Sequence, residues 1–422
     1  MMASRALGIN YIDMSQASPQ VLFLHTNYPA QFRFIVKAYI SKSWSVWFAS
    51  HTQKVAPLPQ INYIQLNRIP DKGSKLDRQQ AIAINTFEQL LHEKRVRGLS
   101  PERIYVHTGW CLGQFLRDLF PNALIIAYSE WWFNLNSEDF WFDLKNTDVQ
   151  HTQASKLAMI LRNQSFAMEL QQADGIISPT KWQKFQLPPI FREKCKVIFD
   201  GIDQKMFSPS TIEITSASPL STLNPELFTL TYATRGLEPY RGFPEFVQAA
   251  VKLLQSDPHW QVAIAGEDKV NYHKNKTFPE GGYGKHALDL FKQLNLSDRV
   301  HILGSLPFQT YRDLLRLSDL HCYFTRPFVL SWSLLESTLV GCQIFASNTS
   351  PVVEFLQDDE DSTLVDHTSI NTGDLLVERA DEIKKRGKGE KILNKFRIEL
   401  ASQINASSCV DKHMRYADQL IK

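Results

Sequence analysis

Residues 326–354 read RPFVLSWSLLESTLVGCQIFASNTSPVVE, a succession of loop, helix, strand and loop with a single carboxylate, Glu336, inside the helical part. A short apolar run at 320–324 precedes it and reads as a strand. The pattern predicts a helix beginning near Ser331, whose unpaired backbone N–H groups and positive dipole end suit an anion such as a diphosphate. Upstream, Arg235 and Arg241 stand six positions apart in ATRGLEPYRG (233–242), directly after another strand-like run. Their guanidinium forks would meet the same anion with paired N–H donors. Two half-sites separated in sequence thus converge on one phosphorylated ligand.

The rest of the chain repeats this grammar. VLFLHT, SVWFAS, RIYVHT, ALIIAYS, GIISPT and KVIFDG are strand candidates in the first half, with helical periods between several of them, such as 77–95. LFTLTYAT, WQVAIAGE, RVHILGSL, LHCYFT, CQIFAS and STLVD follow in the second half. Alternation of this kind predicts parallel βα units. Phe246, Val247, Ala250, Val251 and Leu254 fall on one face of a 3.6-residue period, which should cover a sheet. No internal repeat of solenoid length is present.

The expected fold is α/β: two Rossmann-like, doubly wound parallel-sheet domains facing across a cleft. The 422 residues suit two or three domains at roughly 150 residues each, and the pattern of strands favours two. We expect a loose leader at 1–19, a first domain at 20–205, and a Ser/Thr/Pro-rich linker at 206–226. A second domain at 227–380 and C-terminal helices at 381–422, packing back on the first domain, complete the chain. NYHKNKTFPEGGY (271–283) breaks the rhythm as a loop. In such sheets ligands bind beyond the carboxyl ends of the strands. His25 with Asn27, His107, Glu130, Arg235, Gly266 and the loop after Phe324 all occupy that place.

Composition excludes several classes. With 43% hydrophobic and 21% charged residues and a net charge of +2, nothing calls for a nucleic-acid partner or a disordered chain. No apolar run approaches the roughly 20 residues of a membrane span, and the first twenty residues lack the apolar core of a secretory signal. The five cysteines are scattered without a CxxC pair, which argues against a disulfide framework or a zinc site and for a reducing cytoplasm. The basic run at 92–103 reads either as a solvated helix end or as a contact with an anionic membrane.

Four stretches together resemble the glycosyltransferases of the GT-B fold, in particular the retaining family 4 type. DGIDQKMFSP (200–209) is similar to that family's inter-domain turn, with Asp200 in place of Asn. ATRGLEPYRGFPEFVQA resembles its phosphate loop, placing Arg235 and Arg241 on the donor diphosphate. RVHILGSLPFQTYRDLLRLSDLHCYFT resembles the segment enclosing the nucleobase, with Leu306 near the base. LLESTLVGCQIFASN is similar to its L-E-A-M-A-x-G-x-P-V-I-A-S signature, in which Glu336 would bind the ribose hydroxyls. The family usually shows Glu-x7-Glu, and Phe328 stands where the first glutamate would be. PFVLSWSLLE, taken with HTNYPAQFRF and LEPYRGF, resembles a bacterial subgroup carrying that variant, in which backbone N–H groups at Ser331, Trp332 and Ser333 would hold phosphates and sugar.

The resemblance implies transfer of a hexose-type sugar from a nucleoside-diphosphate sugar, with UDP favoured and GDP next, with retention and without a metal or other cofactor. Arg235, Arg241 and His107 would serve catalysis, and Glu336, Ser331, Trp332, Ser333, Leu306 and Gly266 the donor. His25, Asn27, Gln31 and Glu130 lie where the acceptor would bind. Trp131, Trp132 and Phe133 either stack on a sugar or pack between helices, and Glu354 is either near the donor or an ordinary helix residue. The acceptor could be a carbohydrate, a lipid-linked intermediate, a small molecule or a protein. The expected setting is cytoplasmic with at most peripheral membrane contact. The rival readings are a non-catalytic nucleotide- or carbohydrate-binding protein on a degenerate version of the fold, and a GT-B enzyme of other chemistry such as a phosphorylase or epimerase.

Overall fold

The computed structural model describes residues 18–53, 55–70, 74–142, 152–272, 280–359, 361–391 and 394–421. Residues 1–17 of the expected 1–19 leader lie outside these residues, as does the middle of the expected 271–283 loop, at 273–279.

Two sheets, each all-parallel, organise the chain. The first has seven strands in spatial order Ile61–Gln65, Ser45–Ser50, Gln20–Leu24, Arg103–His107, Leu124–Tyr128, Gly175–Ser178 and Cys195–Val197. The second has six, in order Val300–Gly304, Trp260–Glu267, Phe228–Gly236, Leu320–Tyr323, Gln343–Ser347 and Ser362–Val365. Every strand expected from its apolar run is present. Ile61–Gln65 was not expected: it lies on an edge, and Asn62 and Gln65 interrupt its apolar pattern.

Parallel sheets bury both faces, and here two layers of helices cover each. On the second sheet, Phe246, Val247, Ala250 and Leu254 of helix Phe243–Ser256 pack on Leu230, Tyr232, Val262 and Ile264. Each such fully buried side chain contributes about 2 kcal/mol of transfer free energy before entropic costs. The opposite face receives Leu334, Leu335 and Leu339 of helix Trp332–Val340 against Ile344 and Ala346. That helix stops at Gly341, whose φ of 87° is a left-handed conformation open to glycine at little cost. Residues 206–226 are irregular apart from the 3-10 turn Pro219–Thr222, yet Leu220 and Leu223 are buried against the second sheet.

The chain passes between the domains twice. It first crosses near Ile202, then returns after helix Lys395–Ile404, and a parallel bridge between Ile202 and Asn405 ties the crossings together. Helix Thr372–Arg386 packs on Phe243–Ser256 and runs through residue 381 without a break. Among the described residues after 372, helix Ala406–Leu420 is the one that joins the first domain, where Met414 and Ala417 pack with Val21, Phe23 and Tyr105.

Glu354 joins the domains from the other side. Its two carboxylate oxygens accept from the backbone N–H groups of Lys181 (2.7 Å) and Trp182 (2.8 Å), at the start of helix Lys181–Gln186 in the first domain. A carboxylate there satisfies two unpaired donors and complements the positive end of the helix dipole. Glu354→Ala is therefore expected to lower stability by about 1–3 kcal/mol and to enlarge the ligand-free molecule, checked by urea denaturation and small-angle scattering.

Candidate active site

The carboxyl ends of the two sheets meet, and the residues singled out in the sequence lie along that seam. On the second domain, Ser331 caps helix Trp332–Val340, and Arg241, Ser331 and Ser333 line one small pocket with Tyr232 and Tyr323. Arg241 is buried, and its Nη1 donates to Thr325 Oγ1 (2.9 Å) and the Val329 carbonyl (3.1 Å). These bonds orient the guanidinium while it lies 5.2 Å from the Tyr272 ring centre. Buried Glu238 accepts from the N–H groups of Asn271 and Tyr272, each at 2.8 Å, and so fixes that ring.

The helix start is less open than the sequence implied. The Ser331 N–H donates to the Tyr323 hydroxyl (2.9 Å) and the Ser333 N–H to Ser331 Oγ (3.4 Å). Of the three expected backbone donors, Trp332 alone has none of these partners. Arg235 is exposed at the end of its strand and makes no hydrogen bond or ion pair among the described residues. Leu306 is half-buried beside Leu314, before helix Phe308–Leu317. At Gly266 a Cβ would lie 2.6 Å from the Thr234 carbonyl oxygen, so only glycine lets these two strand ends approach.

Glu336 is 3% exposed. Its Oε2 accepts from the Tyr311 hydroxyl (2.9 Å), while Oε1 is buried without a partner. Burial pushes the carboxyl up to about 7, against the opposing effects of Tyr311 and the charge of Arg33. A buried acceptor left unpaired costs about 1–3 kcal/mol, and a ligand hydroxyl at Oε1 would recover it.

The first domain presents a polar cluster to the same seam. Buried His25 and His107 meet edge to face at 4.5 Å, and His25 Nδ1 accepts from the Asn27 N–H (2.8 Å). Burial, reinforced by His107, holds His25 well below the usual imidazole range. His107 Nδ1 donates to the Thr108 carbonyl (3.0 Å), which turns Nε2 toward Glu130 Oε2 at 3.5 Å. Gln31 donates to the other Glu130 oxygen at 2.7 Å. Burial raises the Glu130 carboxyl, but His107, Gln31 and the Arg241 charge across the seam outweigh it and hold the group below its ordinary value. Beneath the 107–113 loop, buried Glu169 accepts from the N–H groups of Gly109 (2.7 Å) and Gly113 (2.9 Å) and fixes its shape.

Several participants were not expected at the site, or were noted in the sequence only as departures from a motif. Asp200 accepts from the Tyr128 hydroxyl and from Trp332 Nε1 (2.8 Å), linking the domains, and burial pushes it up to about 6. Arg33, from helix Arg33–Ser41, stacks on Trp332. Phe328, at the position of the missing glutamate, contacts Trp131 of the other domain at 4.5 Å and both Tyr240 and Tyr272 at 5.3 Å. Such clusters are not encoded by local spacing. Trp131 thus packs at the domain seam, whereas Trp132 contacts Phe166 and Phe191 within the first domain.

Paired parallel α/β domains with a polar site between the carboxyl ends of their strands define the GT-B fold, and the comparisons agree. Residues 42–207 match the model described as Glycosyl transferase family 4 group, and residues 222–395 match that described as Glycosyl transferases group 1. The chain is thus a glycosyltransferase of the GT-B fold. Sucrose-phosphate synthase from Thermosynechococcus elongatus superposes with a TM-score of 0.70 at 14% identity, covering 96% of this chain and 99% of that one. A glycosyltransferase from Rickettsia africae gives 0.67 at 12% identity, covering 96% and 100%. HepE from Anabaena, in complex with UDP and glucose, gives 0.64 at 14% identity, covering 95% and 100%. No curated protein matches the sequence.

Proposed function

We propose that the protein transfers a hexose-type sugar from a nucleoside-diphosphate sugar, UDP before GDP, to an acceptor with retention of configuration and without a metal. The observation that carries this reading is the buried pairing, across one seam, of Arg241 and the unpaired Glu336 oxygen with the His107–Glu130–Gln31 cluster. Glu336 Oε1 takes the ribose hydroxyls. Arg241, assisted by Arg235 and the start of the Ser331 helix, stabilises the charge growing on the leaving diphosphate. Leu306 and Gly266 shape the base and phosphate walls. His107 approaches the donor sugar, and His25, Asn27, Gln31 and Glu130 receive the acceptor hydroxyl.

In this reading 20–205 is the acceptor domain and 227–380 the donor domain. The UDP and glucose bound by the Anabaena structure support the order of nucleotides. Carbohydrate, lipid-linked, small-molecule and protein acceptors all suit it. It belongs in the cytoplasm, with membrane contact at most peripheral; among the described residues no helix is long and apolar enough to cross a membrane. Phe328 in its aromatic cluster favours one alternative, a nucleotide- or carbohydrate-binding protein without turnover.

Thermal unfolding with UDP, GDP, ADP and TDP, followed by UDP-glucose consumption, tests both readings. UDP is expected to raise the midpoint most, since a ligand at 100 times its dissociation constant adds about 2.7 kcal/mol. No shift with any of the four would overturn the donor site. A shift without sugar release, across a panel of acceptors, would favour the binding protein.

A further inference from the structure

Arg33 belongs to the first domain but stands at the donor side of the seam. Its guanidinium carbon lies over two rings, 4.3 Å from the centre of Trp332 and 4.6 Å from that of Phe34. A guanidinium held over an aromatic face keeps its N–H edges free to hydrogen-bond. Only Nη2 has a partner among the described residues, the Gly201 carbonyl at 3.4 Å, and Nε is buried with none. The charge of Arg33 acts on Glu336 through space, yet Arg33 makes no ion pair with it or any other described residue.

Two buried polar atoms, Arg33 Nε and Glu336 Oε1, therefore stand unpaired on opposite sides of one seam. A donor and an acceptor left in this way match a ligand that offers one of each kind. Building on the donor-site reading above, we infer that Arg33 binds the phosphate nearest the ribose of the nucleoside diphosphate, from the domain opposite the one that holds the nucleotide. Ribose hydroxyls on Glu336 place that phosphate a few bonds away, within reach of a cation that already acts on this carboxylate. A diphosphate brought beside Glu336 adds negative charge to a buried site in which Arg241 is the buried cation of the pocket wall. Arg33 supplies a second. Because it comes from the other domain, its contact with the phosphate also links donor binding to closure of the seam.

Calorimetric titration of the full chain with uridine, UMP and UDP tests this, using wild type, Arg33→Met, Arg33→Lys and Glu336→Gln, with Glu354→Gln as a variant of the domain interface alone. Met keeps the apolar contact with Trp332 and removes the charge, and circular dichroism checks the fold of each variant. Arg33→Met should weaken UMP and UDP at least tenfold and leave uridine within twofold, with Arg33→Lys intermediate. Glu354→Gln should weaken all three by one common factor. If Arg33→Met weakens uridine as much as UDP, or leaves UDP within twofold while Glu336→Gln weakens it, the inference is wrong and Arg33 serves only the interface. If wild type binds neither UMP nor UDP, the donor-site reading fails and this inference falls with it. Should Arg33→Met not fold, a loss of phosphate-bearing ligands alone in Arg33→Lys supports the contact, and an unchanged UDP affinity overturns it.

Discussion

Arg241→Met is expected to slow release of UDP from UDP-glucose by a factor of about 100 to 1,000 under acceptor saturation, the cost of one preorganised donor to a developing negative charge. The arginine is suited to this because its environment has already oriented it. Thr325 Oγ1 and the Val329 carbonyl occupy one end of the fork, Tyr272 lies beside it, and Gly242 permits the tight turn beneath. A Cβ at position 242 would meet that of Phe324 at 2.4 Å, so the backbone that presents Arg241 is packed against the strand end carrying the helix loop. Arg241→Lys keeps the charge but cannot hold both oxygens and face the ligand with a planar fork. It should recover about tenfold of the loss. Turnover unchanged in Arg241→Met would mean that the diphosphate is held elsewhere.

Glu336→Gln should make the ligand-free protein more stable at pH 8 while abolishing its stabilisation by UDP. Burial holds the folded carboxyl at about 7, against roughly 4.3 in an unfolded chain. A group raised in this way favours the folded state fully when protonated, below the unfolded value. Its contribution is lost as pH climbs through the folded value, because the native state then binds more protons than the unfolded one across that window. The ionised side chain thus costs about 4 kcal/mol well above pH 7, and the neutral amide removes most of that cost while still accepting from Tyr311. Midpoints at pH 8 should rise on the order of 5 °C, and at pH 4 the two proteins should coincide. Asp200 and Glu169, pushed up to about 6 and 7, tilt the wild type in the same direction. A variant less stable than wild type at pH 8 would show that the carboxylate has an unseen partner.

The strands were legible because parallel sheets are buried on both faces, and runs such as VLFL and LIIA need no polar alternation to be recognised. Glu336 and Arg241 were singled out by their places after strands and by motif resemblance, and loops after strands bring such positions together regardless of chain distance. Three features were not. The edge strand Ile61–Gln65 leaves three of its five residues wholly or partly exposed and looks like a loop. Arg33 sits in a helix whose composition is that of any amphipathic surface, and only the meeting of the domains places it near Trp332 and Glu336. Glu354 read as either a donor contact or a helix residue, and it proves to cap a helix of the other domain.

The return of helix Ala406–Leu420 to the first domain bears on how the protein is made. The residues that finish the first core, Met414 and Ala417, leave the ribosome only after the whole second sheet has been made, although their partners Val21 and Phe23 precede it. Until helix Ala406–Leu420 emerges, the face formed by Tyr39, Tyr105 and their neighbours lacks that cover, and the nascent first half must stay soluble with that surface bare. A chain stopped just after Ile404 would hold both sheets yet keep that defect permanently, which makes helix Ala406–Leu420 a poor place to cut this protein and its first half a poor candidate for expression alone.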